Sequence, residues 1–428
     1  MNRGNQSYLN NAANLTKMKM QLPFFTGTDS DLLRSESTRD PLGLLPVWSQ
    51  VGHELIPGLA SIVSRIDGIQ GILFLYTCLN ALSKETRSKK IDEKVLKFLE
   101  RLWEYHLYKQ TDKNPCFGVT SLSGADFQLS ISKMGTVGTG LRQYYRGTCV
   151  NKHILASDLK TLNEPYLRLC KRYLNKNMIS WLEGHAKEMG AKEYSISAEL
   201  AYQQVRSFLV QFSKADAELW IELEKDLIND AQQKHWIEAA FKRSNDLRDE
   251  KIHPRQLVST IQQYAIENKY DDVANKCQNI LSCEPFLQVV ESAFLLTQKS
   301  ARASIKELSE RLSSTAPNRL SEVCQNFIHI GMSSPRFNQL KHLAEELSKK
   351  NYRGFILALL SNHYLSICKS RGKSPVVQVD GDMVIAALLN DSQDNWTESP
   401  EIWRNGYFLD AQMGLYVDLQ SRMKVSHG

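Results

Sequence analysis

Apolar positions recur with a helical period over most of the chain. Within Ile91–Tyr108, the residues Val95, Leu99, Leu102 and Trp103 fall three and four apart on one face, which predicts a helix. A second helix is predicted over 62–83. After Ser334 and Pro335, a capping residue followed by proline at the first helical position, Phe337, Leu340, Leu343 and Leu347 again share a face. Ser304 with Glu307 reads as a capping box opening another helix. From about Ser195 the pattern is helix after helix. It breaks between Asn114 and Gly147, where Gly118, Gly124, Gly135, Gly138, Gly140 and Gly147 crowd around the β-prone piece Phe127–Ile131. The expected fold class is mainly α: an irregular multi-helical array with a small Gly-rich, β-containing insertion around 114–147, with room for a hairpin. No repeat of roughly 30–45 residues recurs, which argues against a solenoid.

The flanks follow the same logic. Residues 1–39 are polar and carry no period, so they read as a flexible tail. The apolar but Pro- and Gly-punctuated stretch Asp40–Trp48 predicts a packed, irregular lead into a first domain over 40–190, with a second domain over 191–428. Asp380-Gly381-Asp382 reads as a turn, Ser370–Pro375 as a linker and 390–400 as a polar loop. Trp403–Met423 is aromatic and amphipathic, and is expected to dock.

A length of 428 residues exceeds what one hydrophobic core usually organises. With 42% apolar and 23% charged residues the composition is that of an ordinary globular chain. The net charge of +6 permits contact with nucleic acid, but basic residues are mostly interleaved with acids, as on a solvated helical surface. The longest apolar run, Ile69–Leu82, is about 14 residues against the ~20 that a bilayer needs, so no membrane span is expected. The polar, Asn-rich start predicts no secretory leader. The eight cysteines form no CxxC pair and show no zinc-ligand spacing, so reduced thiols and a cytoplasmic location are expected, with no metal and no small-molecule cofactor.

Two kinds of candidate chemistry stand out. Arg-x4-His pairs resemble those of helical ribonucleases, where the His works as general acid or base and the Arg steadies phosphate charge. Arg101 and His106 lie inside a helix, about 140° apart around its axis, and are set aside. Arg248 and His253 are the better pair, because Pro254 breaks the helix and frees His253 to turn back; a two-residue motif recurs by chance, and a charged, solvated helix end is the simpler explanation. The run Gly135–Gly140 superficially suggests a phosphate cradle but matches neither GxxxxGK[ST] nor GxGxxG. Arg142, Tyr144, Tyr145 and Arg146, with Lys152, are instead candidates for nucleic-acid or partner contact, arginines on phosphates and tyrosines on bases. The structural alternative is a Tyr-rich turn whose rings pack underneath it.

Two segments carry a family likeness. Asp40–Leu82 runs DPLGLLPVWSQVGHELIPGLASIVSRIDGIQGILFLYTCLNAL, and Gly140–Leu155 runs GLRQYYRGTCVNKHIL. The DPLGL…PGL opening and the later YYRG resemble a group of uncharacterised prokaryotic helical proteins found in antiviral defence islands. That resemblance implies one component of a bacterial anti-phage system, beside an ATPase, helicase or nuclease partner. It brings no catalytic residues with it. The leading expectation is a non-catalytic subunit whose helical body scaffolds or recruits that partner and whose loop around Gly135–Gly147 engages a partner protein, DNA or RNA. A helical ribonuclease using Arg248 and His253, and a DNA-binding adaptor using Arg142–Arg146, are the competing expectations.

Overall fold

The computed structural model describes residues 40–110, 122–123, 126–130, 140–191, 193–228, 231–246, 253–390 and 403–426. The described residues are mainly helical, with five short strands. None of the described helices is long and apolar enough to cross a membrane. The chain divides into two compact units, each assembled from two stretches: one combines residues up to Leu55 with Arg243–Tyr407, the other Ile56–Lys242 with Phe408–Gly428.

In the unit that begins at Ile56, α2 (Ile66–Ala81) is buried on nearly every side, from Ile66 through Leu79. A helix apolar all round has no solvent face to offer, so neighbours surround it. They are α3 (Lys89–Gln110), α4 (Leu141–Asn151), α5 (Glu164–Lys171) and α7 (Ala198–Ser213). Val95, Leu99, Leu102 and Trp103 of α3 are fully buried, as their spacing predicts. Trp103 stacks on Phe74 with ring centroids 5.1 Å apart, and Phe208 and Phe212 close the cluster. Its indole N–H donates to the Asp67 carbonyl at 3.1 Å.

The β-prone piece becomes β1 (Gln128–Ser130), but its partner is not a local hairpin. It pairs antiparallel with β2 (Ser195–Ser197), Leu129 opposite Ile196. This pairing holds α6 (Lys176–Ala191) and α7 in one unit, so the expected break at 190 falls inside a unit rather than between two. The unit continues through α8 (Ala217–Leu227) and α9 (Ala231–Asp246). The final helix α16 (Leu409–Ser426) docks, as its amphipathic pattern predicts: Arg422 bonds Asp67, Asp418 and Gln70 and lies over the Trp220 ring, while Asp418 accepts from Ile66 N at 2.8 Å and caps α2.

In the other unit, Asp40 caps α1 (Leu45–Leu55), accepting from Leu44 N at 2.6 Å and Leu45 N at 3.2 Å. Arg336 Nε donates to the Gly43 carbonyl at 2.9 Å, and His363 Nδ1–H donates to that of Pro41 at 2.8 Å, so the DPLGL stretch is tied down residue by residue. The body is built from α10 (Pro254–Glu267), α11 (Asp271–Leu296), α12 (Ile305–Ser314), α13 (Leu320–Ile328), α14 (Pro335–Ser348) and α15 (Tyr352–Tyr364). On α11 the buried Glu284 accepts from Arg404 N, Asn405 Nδ2 and Tyr407 Oη between 2.7 and 2.9 Å. β3 (Arg302–Ser304), β5 (Met383–Ala386) and β4 (Val377–Asp380) form a sheet in that order. The β4–β5 turn is Gly381-Asp382, with Gly381 at φ +60°, the positive angle a tight hairpin requires of its first central residue.

The capping box forms as read: Glu307 N donates to Ser304 Oγ at 3.1 Å, and Ser304 N to Glu307 Oε2 at 2.7 Å. Removing that hydroxyl with Ser304→Ala is expected to cost about 1 kcal/mol, read as an earlier urea midpoint with an unchanged slope.

Candidate nucleic-acid interface

The stretch from Leu141, read as part of a loop, is helical, and the reason lies some forty positions upstream. Glu100 and Glu104 stand one turn apart on α3 and aim at the start of α4. Arg142 N donates to Glu100 Oε1 at 2.6 Å and Leu141 N to Glu104 Oε1 at 3.2 Å. The two carboxylates therefore satisfy amides that have no partner within the helix and complement its positive end. A Cβ on Gly140 would sit 2.6 Å from Glu100 Oε1, so a side chain at the capping position would push that carboxylate away from the Arg142 amide. Burial pushes both carboxyls above the usual range, and Arg101, 2.7 Å from Glu104, opposes that rise. With these amides taken, the start of α4 offers a phosphate no free amides at Leu141 and Arg142; residues 135–139 of the glycine run lie outside the described residues.

The candidate residues part company on this helix. Tyr145 is fully buried, its ring flat against Gly68 of α2. Lys152 is 2% exposed and donates to the Leu227 carbonyl at 3.3 Å; burial lowers its ammonium to about 8, against the pull of Asp226. These two are core residues, as the structural alternative of rings packed underneath expects for Tyr145. Tyr144 and Arg146 are half-buried. Arg142 turns back to α3 and meets Glu93 at 3.4 Å. The two segments that carry the family likeness also touch: Ala60 N donates to Thr148 Oγ1 at 3.1 Å, beside the Gly68–Tyr145 contact.

Next to Arg142 lies the feature that sequence reading missed. Lys89, Lys90, Glu93, Lys94 and Lys97 line an open groove of about 550 Å³ along the first turns of α3. Their spacing of one, four, five and eight places them on one helix face, and that spacing was the available signal. Interleaving with Ile91, Asp92, Val95 and Leu96 disguised it as a mixed surface. Lys94 is anchored by a bond to the Met189 carbonyl, while Lys89 and Lys90 are exposed. Four ammonium groups beside one carboxylate make an anion-attracting strip.

Arg248 lies outside the described residues. His253 caps α10: its Nδ1 faces Arg255 N and its Nε2 faces Trp403 N, each at 3.4 Å, and its ring meets Trp403 edge-on. A neutral imidazole has one bare nitrogen, so one of these contacts is made at a time. Arg101 and His106 are buried, and burial lowers His106 to about 4, away from any substrate. Among the described residues no group of three His, Cys, Asp or Glu is placed to hold a metal ion. Burial raises the thiols of Cys170 and Cys277 to about 12, far from a nucleophile's range.

Comparison with protein-family models, curated proteins and solved structures finds no match for this chain.

Proposed function

We propose that this protein is a non-catalytic, nucleic-acid-binding subunit that holds a phosphodiester backbone along the α3 groove. The observation that carries this reading is the row of Lys89, Lys90, Lys94 and Lys97 on one face beside Arg142. Lysine is a point charge on a flexible stem and reads phosphate rather than base edges, so the binding is indifferent to sequence. Its setting in a bacterial anti-phage complex, next to an ATPase, helicase or nuclease, rests on the likeness of the DPLGL…PGL and YYRG segments.

The test is fluorescence anisotropy of labelled DNA and RNA at rising salt. Neutralising about three or four phosphates gives a slope of log affinity against log salt of about −3 for duplex DNA. The triple variant K89E/K90E/K97E is expected to lower affinity at least tenfold and flatten that slope. A wild-type slope near zero, or a triple variant that binds like wild type, rules the reading out. A pull-down with and without nuclease tests the complex: an ATPase, helicase or nuclease should survive the treatment.

A further inference from the structure

One wall of the lysine groove is a carboxylate in the wrong place for an anion site. Glu93 is 58% exposed, and its Oε2 lies 3.4 Å from Nη1 and 3.5 Å from Nη2 of Arg142, itself 13% exposed. Both contacts are long for a charge-assisted bond, which runs closer to about 2.8 Å. Behind them Tyr76, fully buried, holds its Oη without a well-formed hydrogen bond, and Arg142 Nε is in the same condition. The two groups are neighbours: burial raises the pKa of the phenol, and the Arg142 charge and a loose contact with its guanidinium lower it. Buried polar atoms nearly always make well-formed bonds, so two adjacent groups held only by each other's loose contact and a long carboxylate pair call for an explanation. A guanidinium fork with a phenolic hydroxyl beside it is a donor set suited to a phosphate oxyanion.

We infer that Glu93 occupies the place of an incoming phosphate, and that a backbone phosphodiester displaces it to bind Arg142 and Tyr76. This rests on the proposed nucleic-acid reading and makes its site specific. The exchange is physically reasonable on three counts. The carboxylate hangs on an exposed, flexible side chain and holds the fork at poor distance. The lysines on either side concentrate polyanion at the groove. The released Glu93 finds Lys97 four residues ahead on the same helix, the favourable orientation for a surface pair. Glu93 thereby acts as a gate that a scattered anion does not open and a strand does.

A double-mutant cycle tests this on the full-length chain with a 5′-fluorescein 20-nucleotide single-stranded DNA. Glu93→Gln is expected to tighten binding about threefold or more, beyond the smaller gain from Glu85→Gln, a charge-matched control at an exposed position before α3. In an Arg142→Gln background, Glu93→Gln should gain no more than Glu85→Gln does. Tyr76→Phe, which removes only the hydroxyl, should weaken binding several-fold without lowering the melting temperature. If Arg142→Gln melts early, Arg142→Lys, which keeps the charge and loses the fork, replaces it in the cycle. A Glu93→Gln gain that persists in full without Arg142, or one that matches Glu85→Gln in the wild-type background, overturns the gate. So does a silent Tyr76→Phe. Sodium phosphate that displaces the strand no better than sodium chloride of equal ionic strength supports the strand as ligand. Selective displacement by phosphate assigns the site to a free phosphorylated species and overturns it. Wild-type binding that ignores the K89E/K90E/K97E triple variant refutes the functional reading itself; lysine-dependent binding with an additive cycle refutes only the gate.

Discussion

Gly68→Ala destabilises the protein by about 2–3 kcal/mol, the cost of forcing a methyl into a close-packed site. The added Cβ would be driven into the ring of Tyr145, which is fully buried and lies flat on the α2 backbone. Neither partner can give way easily, because α2 is enclosed by other helices and the rigid ring is itself fully buried. Helix propensity alone predicts the opposite sign, since alanine in a helix interior is favoured over glycine by about 1 kcal/mol. Gly184 supplies the control: it lies inside α6 with open space where its Cβ would go, so Gly184→Ala is expected to stabilise by up to about 1 kcal/mol. Urea unfolding of the two variants decides the matter. Equal signs would mean that the α2–α4 contact is not close-packed. The result bears on function, because this contact fixes how α4 presents Arg142 to α3.

The second large effect is acid sensitivity at His363. This ring is fully buried against Phe294, donating from Nδ1 to the Pro41 carbonyl and accepting at Nε2 from Val376 N at 3.0 Å. The accepting nitrogen must be bare, so the neutral form belongs to the fold, and burial lowers the group to about 4 from an ordinary 6.5. Between those values the unfolded chain binds a proton that the folded chain does not. The stabilisation is therefore complete above about pH 6.5 and is lost as pH falls towards 4, about 3 kcal/mol in all. Asp40 and Glu291 in the same unit, both raised by burial, have the opposite pH dependence, so the clean quantity is a difference. The stability of wild type minus that of His363→Gln, measured by urea unfolding from pH 7 to pH 4, is expected to shrink by that amount. A constant difference would show that the ring does not bridge Pro41 and Val376.

Much of this architecture was legible in the chain. The Val95–Trp103 face, the Ser304 and Ser334 starts, the Gly381 turn and the docking of the last helix all follow from periods of three and four, or from capping and turn chemistry within a few residues. The candidate site was less legible. Of the five residues proposed for contact, Arg142 reaches the groove, and Tyr145 and Lys152 face inwards. A tyrosine and a lysine beside two arginines look the same in sequence whether they meet solvent or core. The lysine row was present in the spacing but hidden by the residues between.

Element types, the faces they bury and most of their ends follow from neighbouring residues, because propensity, capping and amphipathic period are local properties. Which elements meet is a matter of long-range packing. Long-range packing placed Glu100 and Glu104 at the start of α4, so that the chain is helical directly after Gly140. It also paired β1 with β2 far downstream and folded Gly68 under Tyr145. Each of these depends on a partner distant along the chain. Nothing in the local pattern specifies that partner; it is selected by the packing of buried surface and the pairing of buried polar groups over the whole unit.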